Sequence, residues 1–170
     1  MSDWLTSFFQ EFVPFAMTEL GIPQPTLGTL NVITTVQGQQ HNFQEMLTAN
    51  DGAGWKFVPP GLVIDVGDFA EMPTEMSMNV ESLMRAPITI IYVADLGGPN
   101  TQNFVYSQML QLKQAIEARP SFFQTFCRVE QGKLLSSVDC PTNRELMGNS
   151  QMSVICSALV YQPGLVAQLF

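Results

Sequence analysis

Hydrophobic residues recur every three or four positions through the first twenty residues, and this spacing predicts an amphipathic helix over about residues 3–20. Gly21, followed by Pro23, predicts the end of this helix. Pro14 lies inside the pattern, so we expect the helix to be kinked or divided there, because proline lacks the N–H that an interior turn needs.

A second and clearer helical pattern covers residues 101–119, with one apolar stripe and Pro120 as its stop. The stripe consists of Phe104, Val105, Met109, Leu112 and Ile116. Residues 41–49 are weakly helical, and the Asn-Asp-Gly-Ala-Gly stretch at 50–54 predicts a turn or loop.

Segments rich in β-branched residues, or alternating between apolar and polar, predict the strands Leu30–Val36, Leu62–Val66, Met76–Met84, Ala86–Ala94, Phe122–Val129, Lys133–Val138 and Gln151–Gln162. Pro163 and Gly164 predict the end of the last strand and leave an apolar C-terminal tail at 165–170. Together these elements predict one α+β domain over residues 1–170. Its mixed or mostly antiparallel sheet is packed by the central helix and the N-terminal helix.

Charge is scarce and unevenly distributed. Charged residues make up 13% of the chain, whereas about 25% is usual, which indicates that much of the surface meets other protein. Residues 1–84 contain ten acids and one base, and residues 85–170 contain six bases and five acids. No basic patch is present to neutralise phosphates, so we do not expect specific binding of DNA or RNA. No apolar run is long enough for a membrane-spanning helix, and we expect no membrane partner.

Residues suited to catalysis are few. His41 is the only histidine, and the three cysteines are widely spaced, as expected for buried thiols in a protein that folds in a reducing cytoplasm. Asp65 and Asp68 could hold a cation or act as paired carboxylates, although acids beside a turn are commonly found without such a role. We therefore expect no enzyme activity, no cofactor and no metal.

Apolar side chains near both ends of the chain are candidates for contacts between subunits, since large apolar patches are rarely left in water. The alternative is that they cover the core. These candidates are Trp4, Phe8, Phe9, Phe12, Leu165, Leu169 and Phe170.

The order of elements resembles the tail terminators, or tail-to-head joining proteins, of tailed bacteriophages. The resemblance covers residues 1–161. It depends on the N-terminal helix, the strand Leu62–Val66 after Pro59-Pro60-Gly61, the strand Ala86–Val93, the helix of residues 101–119 and the closing strand at Val160-Tyr161. It implies a small α+β virion protein without enzyme activity that forms a ring, typically of six subunits. Such a ring caps the tail tube and contacts the head connector in the neck, and DNA passes through it without being specifically bound.

A closed ring needs two different faces on each subunit, and the two unlike halves of the chain could supply them. Acids would suit a channel through which DNA passes, and the candidates for this position are Asp65, Asp68, Glu71 and Glu75. Three alternatives remain at this stage: another virion ring, such as a head-completion or baseplate component; a cytoplasmic adaptor that binds one protein partner; and an enzyme that uses Asp65 and Asp68.

Overall fold

The computed structural model describes residues 4–36, 56–71, 82–95, 101–119, 127–135 and 156–169. The described elements are helix α1 (Trp4–Leu20), strands β1 (Thr29–Val36), β2 (Lys56–Val66), β3 (Ala70–Glu71) and β4 (Ser82–Asp95), helix α2 (Thr101–Ala118), and strands β5 (Cys127–Leu135) and β6 (Cys156–Leu169). The predicted helical segment at 41–49 and the loop at 50–54 lie outside the described residues, as does most of the predicted strand Met76–Met84.

The strands form one mixed sheet in the order β1-β2-β4-β6-β5, and the short β3 pairs with β4. β1 and β2 run parallel, whereas every other pair of neighbouring strands is antiparallel. The prediction of an α+β fold with a mixed sheet is confirmed.

Both helices pack on the same face of this sheet. Alternate residues of β2, β4 and β6 point into one apolar core together with the stripes of α1 and α2, as the period of two for strands and 3.6 for helices requires. The largest fully buried side chains of this core include Phe8, Phe12, Tyr92 and Tyr161. The rings of Phe8 and Phe12, one turn apart on α1, stack with centroids 5.0 Å apart, and both belong to the core that α1 shares with the sheet.

Helix α1 ends where the sequence predicts, by a Schellman motif. Gly21 adopts a φ of 65°, its N–H donates to the Thr18 carbonyl at 3.3 Å, and the Ile22 N–H donates to the Met17 carbonyl at 2.9 Å. Ile22 and Met17 are both buried, which gives the apolar contact that accompanies this motif. Pro14 does not divide the helix, since α1 is continuous through it, and Pro14 itself is exposed.

The prediction that Pro163 and Gly164 end the last strand is wrong. β6 continues through them to Leu169, so residues 165–169 are the last five residues of an inner strand between β4 and β5. The β5–β6 register shifts between Glu130 and Lys133, opposite Pro163, so the missing proline N–H falls beside a bulge rather than in a regular ladder. A neighbouring bulge therefore allows a proline in an inner strand, which the sequence of β6 alone does not reveal.

Candidate assembly surfaces

The face of the sheet opposite the two helices carries a row of apolar residues. By register, Ile33 of β1 pairs with Val63, Val63 with Ile91, and Ile91 with Val160, and the same row reaches Leu135 of β5. Val63 is fully buried, whereas Ile33, Ile91 and Val160 are half-buried. An apolar row therefore crosses the sheet from one outer strand to the other.

A polar row lies beside the apolar row on the same face. Asp65 pairs in register with Thr35 and with Thr89, and the side chain of Gln162 donates from Nε2 to Thr89 Oγ1 at 3.4 Å. Lys133 of β5 pairs with Gln162 and completes the row. Asp65, one of the predicted channel acids, is thus a half-buried residue near the end of β2, next to the outer strand β1.

The other predicted channel acids do not share this position. Asp68 is exposed in the turn after β2. Glu71 lies in β3, where its backbone pairs with Met84, and the Glu71 side chain and all of Glu75 lie outside the described residues. In the described part of the chain, no group of three or more His, Cys, Asp or Glu residues is arranged to hold a metal ion.

The sequence-predicted contact residues separate into three groups. Phe8, Phe12 and Leu165 have no exposed surface and belong to the core of the subunit itself, so these side chains are not available to a neighbour. Phe9 is half-buried and lines a groove on the surface. The side chains of Trp4 and Leu169, and all of Phe170, lie outside the described residues.

The groove that Phe9 lines runs between α1 and the outer strand β1. Its volume is about 480 Å³, it is open to solvent, and its walls are mainly apolar. The lining residues are Thr6, Phe9, Gln10, Val13, Pro14, Val32 and Thr34. A helix beside an outer strand forms the type of groove in which an added strand can lie.

The two outer strands differ in chemistry. In the described residues, β1 and β5 each pair with one strand only, so each leaves an edge of the sheet without a partner strand. β1 contains no charged residue and no proline over eight residues, although edge strands are commonly protected by such residues. β5 contains Arg128, Glu130 and Lys133 and is bulged, and both features protect an edge.

Glu130 of β5 also forms an ion pair that crosses a whole strand. Its Oε2 lies 3.1 Å from Arg85 Nε of β4, and both groups pass over Gly164 of the intervening β6. A Cβ on Gly164 would lie 3.1 Å from each of these atoms, so the absence of a side chain leaves room for the pair. The pair is partly exposed and contributes little net stability.

Leu27 is a surface feature that sequence reasoning missed. It is fully exposed at the tip of a β-turn in which the Thr29 N–H donates to the Thr26 carbonyl at 3.0 Å and Gly28 has a φ of 78°. This geometry is that of a type II turn, whose third position suits glycine. The Leu-Gly pair in the sequence was the available signal.

Phe104 and Tyr106 of α2 are also exposed, although Phe104 was expected on the buried stripe.

Tyr161 is a buried polar group in the core. Its Oη has no hydrogen-bond partner of good geometry within the described residues. Burial, together with the Glu117 carboxylate, raises the pKa of Tyr161 to about 12, and the nearby Gly132 backbone amide opposes this only in part. At neutral pH Tyr161 is therefore an uncharged side chain whose hydroxyl lacks a well-placed partner among the described residues.

No helix in the described part of the chain is long and apolar enough to cross a membrane. No protein family and no curated protein matches the sequence.

Proposed function

We propose that this chain is a structural subunit of a tailed-phage virion, of the tail-terminator kind, that forms a ring in the neck. The ring would cap the tail tube and join it to the head connector, and the subunit would have no catalytic role. The observation that supports this proposal best is the pair of unlike strands, neutral β1 and charged β5, at the two edges of one sheet.

Two unlike edges favour a particular kind of assembly. When one surface of a subunit binds a different surface of the next, the contact is heterologous, and it closes into a ring if the rotation between subunits is suitable. A contact between two identical surfaces would instead produce a dimer. The resemblance in the order of elements suggests six subunits.

The distribution of charge is compatible with such a ring. Residues 1–84 carry a large excess of acids, which would repel passing DNA wherever they faced the channel. Of the predicted channel set, Asp65 lies one residue before the end of β2, Asp68 lies just after β2, and the backbone of Glu71 lies in β3. We place the protein in the virion after folding and assembly in the host cytoplasm.

Native mass spectrometry over a series of protein concentrations tests the proposal, with negative-stain imaging of any large species. A species with a fixed number of subunits and a central hole is the expected result. Monomers or dimers alone at every concentration would contradict the ring. They would favour an adaptor that binds a single partner, to be identified by a pull-down from infected cells.

A further inference from the structure

We propose that, in the assembled ring, β5 of one copy pairs antiparallel with β1 of the next copy. This inference rests on the proposed function, because it names the two surfaces through which the ring would close. The partner that we propose at the β1 edge and in the adjoining groove is a second copy of this chain.

The direction of the strands supports antiparallel pairing. β1 is parallel to β2, and the three steps from β2 through β4 and β6 to β5 are all antiparallel, so β5 runs opposite to β1. A second copy that extends the sheet in the same orientation therefore presents its β5 antiparallel to β1. Antiparallel pairs are also the more common and slightly more stable kind.

The cross-strand rows suggest the register. The apolar row starts at Ile33 in β1 and ends at Leu135 in β5, and the polar row starts at Thr35 and ends at Lys133. Placing Ile33 opposite Leu135 of the second copy also places Thr35 opposite Lys133 of that copy, so both rows continue into the next subunit. A shift by one residue would set the helix-covered face of one copy beside the opposite face of the next, so the rows would no longer continue on one face.

The same register places Leu134 of the second copy opposite Thr34, at the wall of the groove between α1 and β1. Leu134 is half-buried in its own subunit, and Thr34 is exposed. The apolar walls formed by Phe9, Val13 and Val32 could then cover the part of Leu134 that its own core leaves in water.

Charge favours β5 over a second β1 as the occupant. The described residues 4–36, which form α1 and β1, include Glu11 and Glu19 and no Lys or Arg. β5 carries Arg128 and Lys133 against the single acid Glu130. Pairing of β1 with β5 therefore sets a strand of net charge +1 beside a segment whose charged residues are acids on α1, whereas pairing of two β1 strands would bring together two segments that carry only acids.

Disulfide trapping tests the pairing directly. Residues directly opposite in an antiparallel pair have Cα atoms about 4.5–5.5 Å apart, within the range that a disulfide spans. Within one subunit the two positions lie on opposite outer strands of the sheet, four strand spacings or about 19 Å apart, so a bond between them must join two copies. We expect the double variant Thr34→Cys with Leu134→Cys to form, on mild oxidation, a ladder of covalent oligomers that stops at the size of the ring.

The controls separate the possible outcomes. The wild type, with its three native cysteines, and each single variant should give no ladder. Covalent dimers from Thr34→Cys alone would show β1 paired with β1 and overturn the inference. Because Leu134 is half-buried, the pair Thr35→Cys with Lys133→Cys serves as a second test of the same register.

A charge substitution distinguishes failure of this inference from failure of the ring. Thr34→Lys puts a cation on the β1 edge, and Gln114→Lys puts the same cation on an exposed position of α2. We expect only Thr34→Lys to raise the concentration for half-assembly, by about tenfold or more, with an unchanged melting temperature. Normal ring formation by Thr34→Lys, together with no covalent ladder from Thr34→Cys with Leu134→Cys, would overturn the pairing and leave the ring intact. The absence of any ring from the wild type would contradict both.

Discussion

Removal of the Tyr161 hydroxyl should stabilise the protein. Tyr161 is fully buried, and its Oη has no well-placed hydrogen-bond partner among the described residues. A buried unsatisfied hydroxyl costs about 1–3 kcal/mol. Tyr161→Phe keeps the ring and its packing, so we expect the free energy of unfolding to rise by about 1 kcal/mol at neutral pH. For a chain of this size that corresponds to an increase of about 2–4 °C in melting temperature.

The same substitution should change the response to alkaline pH. The unfolded chain loses the tyrosine proton near the ordinary pKa of 10.0, whereas the folded chain keeps it until about 12. Between these values the unfolded state binds fewer protons than the folded state, so the stability of the wild type falls as pH rises. A difference of about 2 in the pKa of Tyr161 lowers the free energy of unfolding of the wild type by at most about 3 kcal/mol. Tyr161→Phe has no hydroxyl at this position and does not suffer this loss.

Urea unfolding at pH 7 and at several values from 9 to 11.5, at one protein concentration, measures both effects. Tyr106→Phe is the matched control, because Tyr106 is 47% exposed and its substitution should change the free energy of unfolding by less than about 0.5 kcal/mol. If Tyr161→Phe instead lowered stability by 1 kcal/mol or more, the hydroxyl would be making a favourable hydrogen bond and the reasoning would be refuted.

Four further substitutions test the fold by thermal or urea unfolding. Gly132→Ala should destabilise by about 3 kcal/mol or more, because a Cβ there overlaps the backbone of Gln162; wild-type stability would disprove the tight packing at the bulge. Phe12→Ala should cost about 3–5 kcal/mol and Phe104→Ala much less, and equal losses would contradict their difference in burial. Gly21→Ala should cost about 1–2 kcal/mol through its positive φ alone, since no atom lies within 4 Å of the added Cβ.

The sequence predicted both described helices and the approximate positions of most described strands along the chain, because those features depend on local periodicity. The stripe of α1 and its stop at Gly21 are both local signals, and both are confirmed. The prediction at Pro163 was wrong because the continuation of β6 through this proline depends on the bulge of β5. That bulge is distant in sequence, and the residues around Pro163 do not encode it.

The candidate surfaces were less predictable for a related reason. Apolar periodicity marks Phe8, Phe9 and Phe12 equally, and only the packing of α1 on the sheet buries Phe8 and Phe12 and leaves Phe9 beside the groove. Similarly, β1 reads as a strand from its sequence, but its position at an edge depends on the order of strands in the sheet, which alternation does not specify.

The place of β6 in the sheet affects how the chain folds during synthesis. β6 pairs with both β4 and β5 and follows all the other described elements in chain order. While the ribosome is still making β6, β5 has no strand to join, and one side of β4 stays open. The nascent chain therefore cannot present the complete sheet, with β1 at one edge and β5 at the other. The proposed association through these edges would then wait until β6 has left the ribosome, and in the meantime the open side of β4 is an unpaired strand edge at which misassembly can occur.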